Sequence, residues 1–306
     1  MPASGPSLGA PLALGAVLLA LGASVSWALA NVAVARSARL VGAVRALLWA
    51  EVAGGALAAL AAWLGDVDVR TEAFTATTAV WLAVAGAAAL LGYLSMFHAL
   101  EHGRLAIAVP IMSGWAVIST AISLLLLRES VRPVQLGGAA LVILGVLLVS
   151  RRAGQAAGAA ARAGAARARA PRWLWASFGA ALGFGVLIPA VAQVAPATGR
   201  VGSVVAVFAT DILLGLPLAV WFRVDLRPPP RRAWVPVGLA GLFETAGFVC
   251  IALAGARAPL AVVSPLASLA SALTVLYAWV VLRDRPHPVA LAGAVLATAG
   301  VLVLAS

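Results

Sequence analysis

Three acidic side chains fall within long apolar runs of this chain, where a charge is costly. Glu51, Asp211 and Glu244 each lie near the midpoint of such a run, whereas the other seven acids lie in loops or near helix ends. A charged side chain at the centre of a bilayer costs about 2.5–3.5 kcal/mol, so such residues face a bundle interior or a wet cavity. Midplane acids suit proton relay or the recognition of a cationic group.

Arg45 offers a structural alternative, because it could neutralise one of these acids. It lies six residues before Glu51 in the same apolar run. On an α-helix that spacing puts the two side chains on different faces, which disfavours pairing within the helix. Pairing across helices stays open, so we expect Arg45 either to pair or to face the cavity together with the acids.

The elements that position these acids must be membrane helices. The chain has 306 residues, of which 63% are hydrophobic and 10% charged, and its mean hydropathy is +1.06. That leaves too little polar surface for a water-soluble globule. About 20 apolar residues cross the hydrocarbon core as a helix. The sequence predicts ten such spans, at residues 12–32, 40–64, 78–97, 105–127, 134–150, 173–194, 201–222, 234–253, 260–282 and 289–304.

The chain repeats itself with a shift of 155 positions. The matching positions of the two copies are Pro110, Arg128, Glu129, Pro133, Gly138 and Gly145 in the first and Pro265, Arg283, Asp284, Pro288, Gly293 and Gly300 in the second. Each copy holds five spans, an odd number, so the second must cross the membrane in the opposite sense. We therefore predict an all-α integral membrane protein of two inverted five-helix repeats, 1–150 and 173–306, joined by an arginine-rich linker, 151–172.

Inverted repeats build transporters whose binding site lies between the copies. Aligning Gly42 with Gly202 brings Glu51 opposite Asp211 in the second helix of each copy. This pairing predicts a symmetric pair of acids at the midplane.

Two prolines occupy matching places in the fourth helix of each copy, Pro110 and Pro265. A proline removes one backbone hydrogen bond and bends its helix. Ser113 and Ser268 follow three residues later and could offer hydroxyl groups to a cavity. The alternative is that the bends only improve packing and that the serines bond back to their own helices.

Four aromatic residues, Trp27, Tyr93, Trp115 and Tyr277, lie away from the span ends and are further candidates for the pocket lining. His98, Glu101 and His102 lie close together near a helix end, and we interpret them as a solvated loop rather than a metal site. Cys250 is the single cysteine, which excludes an internal disulfide and a cysteine metal cluster. We expect no metal and no cofactor.

All 21 basic residues are arginines, and the net charge is +11. Fifteen of them fall in loops after odd-numbered spans and five in the other loops. The positive-inside rule then puts the linker 151–172 in the cytoplasm and both termini outside. Because these arginines lie between spans rather than on a folded polar face, we expect no binding of nucleic acid.

The chain resembles the EamA family of the drug/metabolite transporter superfamily. In both copies a helix ends in Leu-Arg-Glu or Leu-Arg-Asp, at residues 127–129 and 282–284, before a closing helix that contains glycines. Arg45 also resembles an arginine common in the second helix of the family. The resemblance implies a secondary carrier with a central cavity, often an exporter of amino acids or related metabolites. It also implies cytoplasmic termini, which conflicts with the charge count, and we keep the charge count.

The sequence thus predicts a secondary active transporter of the cytoplasmic membrane that exports a small metabolite, amino acid or drug-like solute by alternating access, with proton coupling as an option. Its partners would be the lipid bilayer and a small-molecule substrate, and a homodimer is compatible with the sequence. A non-transporting membrane scaffold or assembly partner is the alternative. We predict no enzymatic activity, because the chain contains no Walker-type phosphate loop, H-E-x-x-H or G-x-S-x-G motif.

Overall fold

A computed structural model describes residues 10–64, 74–103, 105–164, 172–282 and 288–305. This part of the chain forms α-helices and contains no β-strand. The helices are α1 (Ala10–Val41), α2 (Ala43–Leu64), α3 (Ala76–His102), α4 (Leu105–Met112), α5 (Trp115–Leu125), α6 (Pro133–Gly164), α7 (Arg172–Thr198), α8 (Arg200–Trp221), α9 (Arg231–Gly255), α10 (Leu260–Ala267), α11 (Ala270–Leu282) and α12 (Pro288–Ala305).

Six of these helices, namely α1, α2, α3, α7, α8 and α9, are long and apolar enough to cross a membrane. The other four predicted spans correspond to α4 with α5, to α6, to α10 with α11, and to α12. The chain is therefore a multi-pass helical membrane protein, and the count of ten spans stays a prediction. The predicted linker is partly helical, because α6 continues past Ser150 to Gly164.

The turns between the first two helices of each half are single glycines. Gly42 separates α1 from α2 with φ +84°, and Gly199 separates α7 from α8 with φ +72°. Glycine tolerates this left-handed conformation, which lets two helices meet with one residue between them. Arg36 and Arg39, which the sequence assigned to a loop, therefore lie in the last turns of α1.

The predicted correspondence of Glu51 with Asp211 agrees with the contacts that α2 and α8 make. A Cβ added to Gly86 of α3 would meet Thr210 and Leu214 of α8, and one added to Gly241 of α9 would meet the backbone of Ala50 and Gly54 of α2. Gly86 and Gly241 are equivalent in the repeat, and a shift of 160 brings Ala50 onto Thr210 and Gly54 onto Leu214. The same shift places Glu51 opposite Asp211, although the turn glycine before α8 is Gly199 rather than Gly202.

The fourth predicted span of each copy is interrupted. The break lies at Ser113-Gly114 in one copy and at Ser268-Leu269 in the other, three residues after the matching prolines. In the second copy Leu269 N–H donates to the Leu266 carbonyl at 3.2 Å. This bond spans three residues, as in a 3₁₀-helix, instead of the four residues of an α-helix. The carbonyls of Leu266 and Ala267 accept from the Ser24 hydroxyl of α1, at 2.7 and 3.1 Å. The sequence predicted a bend at each proline, and the structure shows one 3₁₀-like turn three residues later, in which i→i+3 bonds such as Gly114 N–H to the Ile111 carbonyl interrupt the α-helical bonding.

The two closing helices, α6 and α12, cross through reciprocal glycine contacts. A Cβ added to Gly145 would lie 2.6 Å from the Gly293 carbonyl, and one added to Gly300 would lie 2.7 Å from the Gly138 carbonyl. Gly138 contacts Gly300, and Gly145, seven residues later in α6, contacts Gly293, seven residues earlier in α12. The two helices therefore run antiparallel. Antiparallel packing of corresponding helices is the arrangement that an inverted repeat requires.

Two carboxylates, Glu129 and Glu101, cap the N-termini of neighbouring helices. Glu129, at the end of the Leu-Arg-Glu motif, accepts from the backbone N–H groups of Leu260 and Ala261, the first residues of α10, at 3.2 and 3.1 Å. Glu101 accepts from Ala43 N–H at the start of α2, at 3.1 Å. Each carboxylate satisfies donors that have no intrahelical partner and complements the positive end of the helix. Arg128, just before Glu129, has φ 53°, which turns the chain toward α10.

The helices α3 and α7 approach so closely that glycine is required at their crossing. A Cβ on Gly183 would lie 2.7 Å from the Ala88 carbonyl and closer still to the Gly92 backbone, whereas a Cβ on Gly238 would meet nothing within 4 Å. We expect Gly183→Ala to lower the free energy of unfolding by about 1–3 kcal/mol through overpacking. Gly238→Ala, the matched control, should be neutral or stabilising by up to about 1 kcal/mol. Thermal unfolding in nanodiscs measures both, and equal stability of the two variants would contradict this packing.

Candidate functional site

A small pocket of about 50 Å³ lies at the centre of the bundle, beside both helix interruptions. We call it the central pocket. Ser113 and Trp115 reach it from the break between α4 and α5, and Ala270 and Ser271 from the break between α10 and α11. Helices α1, α3, α7 and α9 complete its lining with Trp27, Asn31, Met96, Phe184, Ile188, Glu244 and Phe248, and α4 adds Val109 and Met112. The pocket is therefore built by both halves of the chain.

Aromatic rings form much of the wall of the central pocket. Trp27 packs edge to face against Trp115, with ring centroids 5.6 Å apart, and against Phe248 at 5.3 Å. Tyr93 packs in the same way against Phe184 at 5.1 Å. The electron-rich faces of aromatic rings attract cations.

Glu244 is the one ionisable side chain among the residues that line the central pocket. It is 6% exposed, and its Oε2 accepts a long hydrogen bond from the Tyr93 hydroxyl at 3.5 Å. Within the described part of the chain it forms no ion pair. Trp27 Nε1 and Ser271 Oγ are also buried there without a hydrogen-bond partner. The pocket therefore offers one carboxyl group and unused polar groups to a ligand.

A larger cavity of about 410 Å³, the vestibule, adjoins the central pocket. Its residues include Pro196 and Arg200, at the turn between α7 and α8, and Gly255 and Leu260, at the turn between α9 and α10. These turns lie at the end of the bundle opposite the start of α7, so the vestibule opens on that face. Ile188 and Phe248 line both cavities and separate them.

Glu51 and Asp211 lie in a different cavity, of about 220 Å³, which we call the acid crevice. Each is 3% exposed. Both carboxylate oxygens of Asp211 lack a hydrogen-bond partner, and so does Oε2 of Glu51. The remaining walls are mainly leucine and valine from α2, α3 and α8, and the crevice extends to Phe222 and Val224 at the end of α8. It therefore reaches toward the face where α7 begins, away from the vestibule.

Tyr93 connects the two acidic regions. A narrow cavity of about 10 Å³ between them is lined by Glu51, Tyr93, Phe208 and Phe248. The Glu51 carboxylate interacts electrostatically with both Asp211 and Glu244. The three acids thus form one electrostatic group, although Glu244 faces the central pocket and the other two face the acid crevice.

The serines and prolines that the sequence singled out lie at the helix interruptions. Ser113 lines the central pocket, but its hydroxyl donates to the Val109 carbonyl at 3.1 Å. Ser268 donates to the Pro265 carbonyl at 2.6 Å and is not part of the pocket lining. Pro110 lies in α4, and Pro265 is buried in α10. The hydroxyls therefore serve the backbone of their own helices in this structure.

Arg45 lies outside the four cavities described above. Its guanidinium pairs with Asp225 at 2.9 Å and donates to the carbonyls of Arg227 and Pro228 at 2.9 and 2.8 Å. It fixes the loop between α8 and α9 and neutralises none of the three buried acids. Arg45 therefore does not form the structural ion pair with a buried acid that the sequence left open.

Tyr277 lies on the outside of the bundle, 44% exposed, in a groove between α1, α9 and α11 that we call the outer groove. The possible ligand atoms of His98, Glu101 and His102 come within 4.8 Å of one another at the end of α3. The Glu101 carboxylate is already engaged by the N-terminus of α2.

Several pocket residues were missed because only the fold brings them in. Phe248 stands opposite Tyr93 in the repeat, a signal that the sequence did contain. Phe184 packs on Gly92 of the other half, just as Trp27, which the sequence did predict, packs on Gly247. Asn31, Met96 and Ser271 carry no pattern of their own in the sequence.

Comparisons with known proteins agree with this architecture. A solved crystal structure superposes with a TM-score of 0.68 over 94% of this chain and 95% of that chain, at 21% identity, which shows a shared fold. An uncharacterised protein of Methanocaldococcus jannaschii is 36% identical over 61 residues, which are 20% of this chain and 44% of that relative. The chain thus spans less than half the length of that relative.

The fold and the two-copy organisation are those of a membrane transporter of the drug/metabolite type. The profile of the EamA-like transporter family matches residues 14–151 and again residues 171–306. The chain therefore belongs to the EamA-like transporter family, as the sequence motifs indicated.

The unpaired state of the buried acids predicts how their removal affects stability. If Asp211 took part in a structural ion pair, removing it would cost about 3–5 kcal/mol. Because both of its oxygens lack partners, we expect Asp211→Asn to leave the free energy of unfolding within about 1 kcal/mol of the wild-type value. Chemical denaturation in detergent micelles measures the difference. A loss of 3 kcal/mol or more would reveal a structural partner for Asp211.

Proposed function

We propose that this protein is a secondary active transporter of the cytoplasmic membrane that exports a small organic solute with a cationic group by alternating access, coupled to protons. The observation that carries the proposal is the central pocket. It lies between interrupted helices of two antiparallel halves, contains a single unpaired carboxylate, and adjoins a vestibule that opens on one face of the bundle. Binding sites of inverted-repeat carriers occupy this place.

The chemistry of the pocket supports a cationic group on the solute. Glu244 provides a negative charge with no compensating cation among the pocket residues, and Trp27, Trp115 and Phe248 provide aromatic surface. An ammonium group gains from both a carboxylate and aromatic faces in a desolvated site. A free carboxylate on the solute would find no cation in the pocket, and its burial would be costly. We therefore favour amines and drug-like cations over simple organic acids.

The sizes of the two cavities favour a solute with a small cationic head group and a larger apolar body. The central pocket, at about 50 Å³, holds little more than an ammonium group and its first carbon atoms. The adjoining vestibule, at about 410 Å³, is lined largely by aliphatic side chains and accommodates an apolar body. Displacement of Ile188 and Phe248 would let the head pass between the cavities.

Glu51 and Asp211 support proton coupling. They are buried without partners in a crevice that leads toward the other face, so they can exchange protons separately from solute binding at Glu244. Because Glu51 interacts with Glu244, a proton gained or lost in the crevice alters the electrostatic cost of charge in the pocket. Differential proton affinity of two conformations is what a coupled carrier requires.

Transport by variants in proteoliposomes tests the proposal. Phenethylamine, phenethyl alcohol and phenylacetate share an aromatic body and differ in the charge of the head group. We expect uptake of phenethylamine alone, and a fall of at least about 30-fold in Glu244→Gln, because a desolvated charge pair loses one partner. Asp211→Asn should still bind phenethylamine but lose the acceleration that a pH gradient gives to the wild-type protein.

Asp225→Asn is the matched control, since Asp225 is an exposed acid that pairs with Arg45 outside the cavities. It should transport as the wild-type protein does. Wild-type rates in Glu244→Gln would remove Glu244 from the solute site, and full acceleration by the pH gradient in Asp211→Asn would remove Asp211 from coupling. No movement of any probe by the wild-type protein, in either direction, would contradict the proposed cationic solute.

A further inference from the structure

The outer groove is a separate cavity, of about 450 Å³, on the lipid-facing side of the bundle. Its walls come from α1, α9 and α11 and are mostly apolar, with Val235 68% exposed and Leu239 38% exposed. No acid lines it, and its two charged residues are both arginines, Arg36 and Arg232. Neither the proposed solute route nor the buried acids use this groove.

Both arginines lie at the same level of the bundle. Arg36 is in the last turns of α1, and Arg232 is the second residue of α9, so both are at the face where α7 begins. Trp234, which follows Arg232 by two residues, packs against Trp49 of α2 with ring centroids 5.3 Å apart. Tryptophans at helix ends mark the level of the lipid head groups. Both guanidinium groups therefore lie where head groups would be, above an apolar groove.

Neither guanidinium has a partner within the described part of the chain. Arg36 and Arg232 are exposed and form no hydrogen bond or ion pair with a described residue. In this they differ from Arg45 and Arg39, which are bound to carbonyl groups of the neighbouring chain segments. Two free cations that line one groove at head-group depth attract a phosphate.

We infer that the outer groove binds one anionic phospholipid, whose phosphate is held by Arg36 and Arg232 and whose acyl chain lies along Leu29, Val235 and Leu239. Charge complementarity selects the head group, and the apolar walls accept the chain. The exposed hydroxyl of Tyr277 in the same groove offers a further donor to the head group or glycerol backbone. Because α1 belongs to the first copy and α9 to the second, the lipid bridges the two halves.

Native mass spectrometry with phosphatidylglycerol and phosphatidylcholine of identical chains tests this inference. The wild-type protein should retain phosphatidylglycerol more tightly than phosphatidylcholine. Each arginine near an anionic group contributes a factor of about five, so Arg36→Gln with Arg232→Gln should weaken phosphatidylglycerol binding about 30-fold. Should the double variant fail to fold, Arg36→Gln alone should weaken it about five-fold.

Two further variants distinguish binding in the outer groove from a general attraction of anionic lipid to the positive charge of this face. Arg223→Gln with Arg227→Gln removes the same charge from the same face, outside the groove, and should leave binding unchanged. Val235→Trp keeps the charge but fills the groove, and should weaken binding of both lipids. Equal losses in the two arginine pairs would overturn the inference. So would a shift of the monomer–dimer ratio without loss of lipid, since the groove would then be a contact between two copies.

Discussion

The satisfaction of backbone hydrogen bonds within the membrane is the constraint on which this structure depends. No water is available in hydrocarbon to replace a lost helical bond, so an interrupted helix is tolerated only where the protein itself supplies partners. In the second copy the Ser24 hydroxyl meets the carbonyls of Leu266 and Ala267 at the interruption, and Glu129 meets the first N–H groups of α10 at the other end of that helix. The Ser24 bonds supply partners at the middle of the bundle, where the central pocket lies beside the interruption.

Small residues set the second condition, since they decide how closely the halves approach. Glycines at the crossings of α3 with α7 and of α6 with α12 bring backbones into contact where lipid gives no hydrophobic drive for helix association. Rings from the opposite half then cover the remaining glycines, as Trp27 covers Gly247 and Phe184 covers Gly92. The same close approach that holds the bundle together keeps the central pocket narrow. A solute can therefore enter only if the halves, or the rings between them, move.

The sequence predicted features that repeat and missed features that depend on register. Span positions, the internal repeat and the buried acids are properties of composition and spacing, and they were visible without coordinates. The turn before α8 was assigned to Gly202 rather than to Gly199, because only the backbone φ separates the two glycines. The partner of Arg45 could not be predicted either, because Asp225 lies 180 residues away, in a loop without pattern. The outward position of Tyr277 depends on the rotation of α11, which its uniformly apolar sequence does not specify.

The separation of the acids into two cavities bears on how coupling could work. If all three shared the central pocket, a cationic solute and protons would compete directly for the same charge. Here the crevice and the vestibule approach from opposite faces, and Tyr93 and Phe248 line the narrow cavity beside Glu51 that leads toward Glu244. Under the coupling proposed above, a proton in the crevice would change the electrostatic potential and the packing around the solute rather than compete with it for Glu244. Because packed rings have discrete arrangements, a change of charge on one side can favour one arrangement over another, and this would link protonation to opening of the vestibule. A direct competition mechanism would require a shared cavity, and the geometry of the described residues does not provide one.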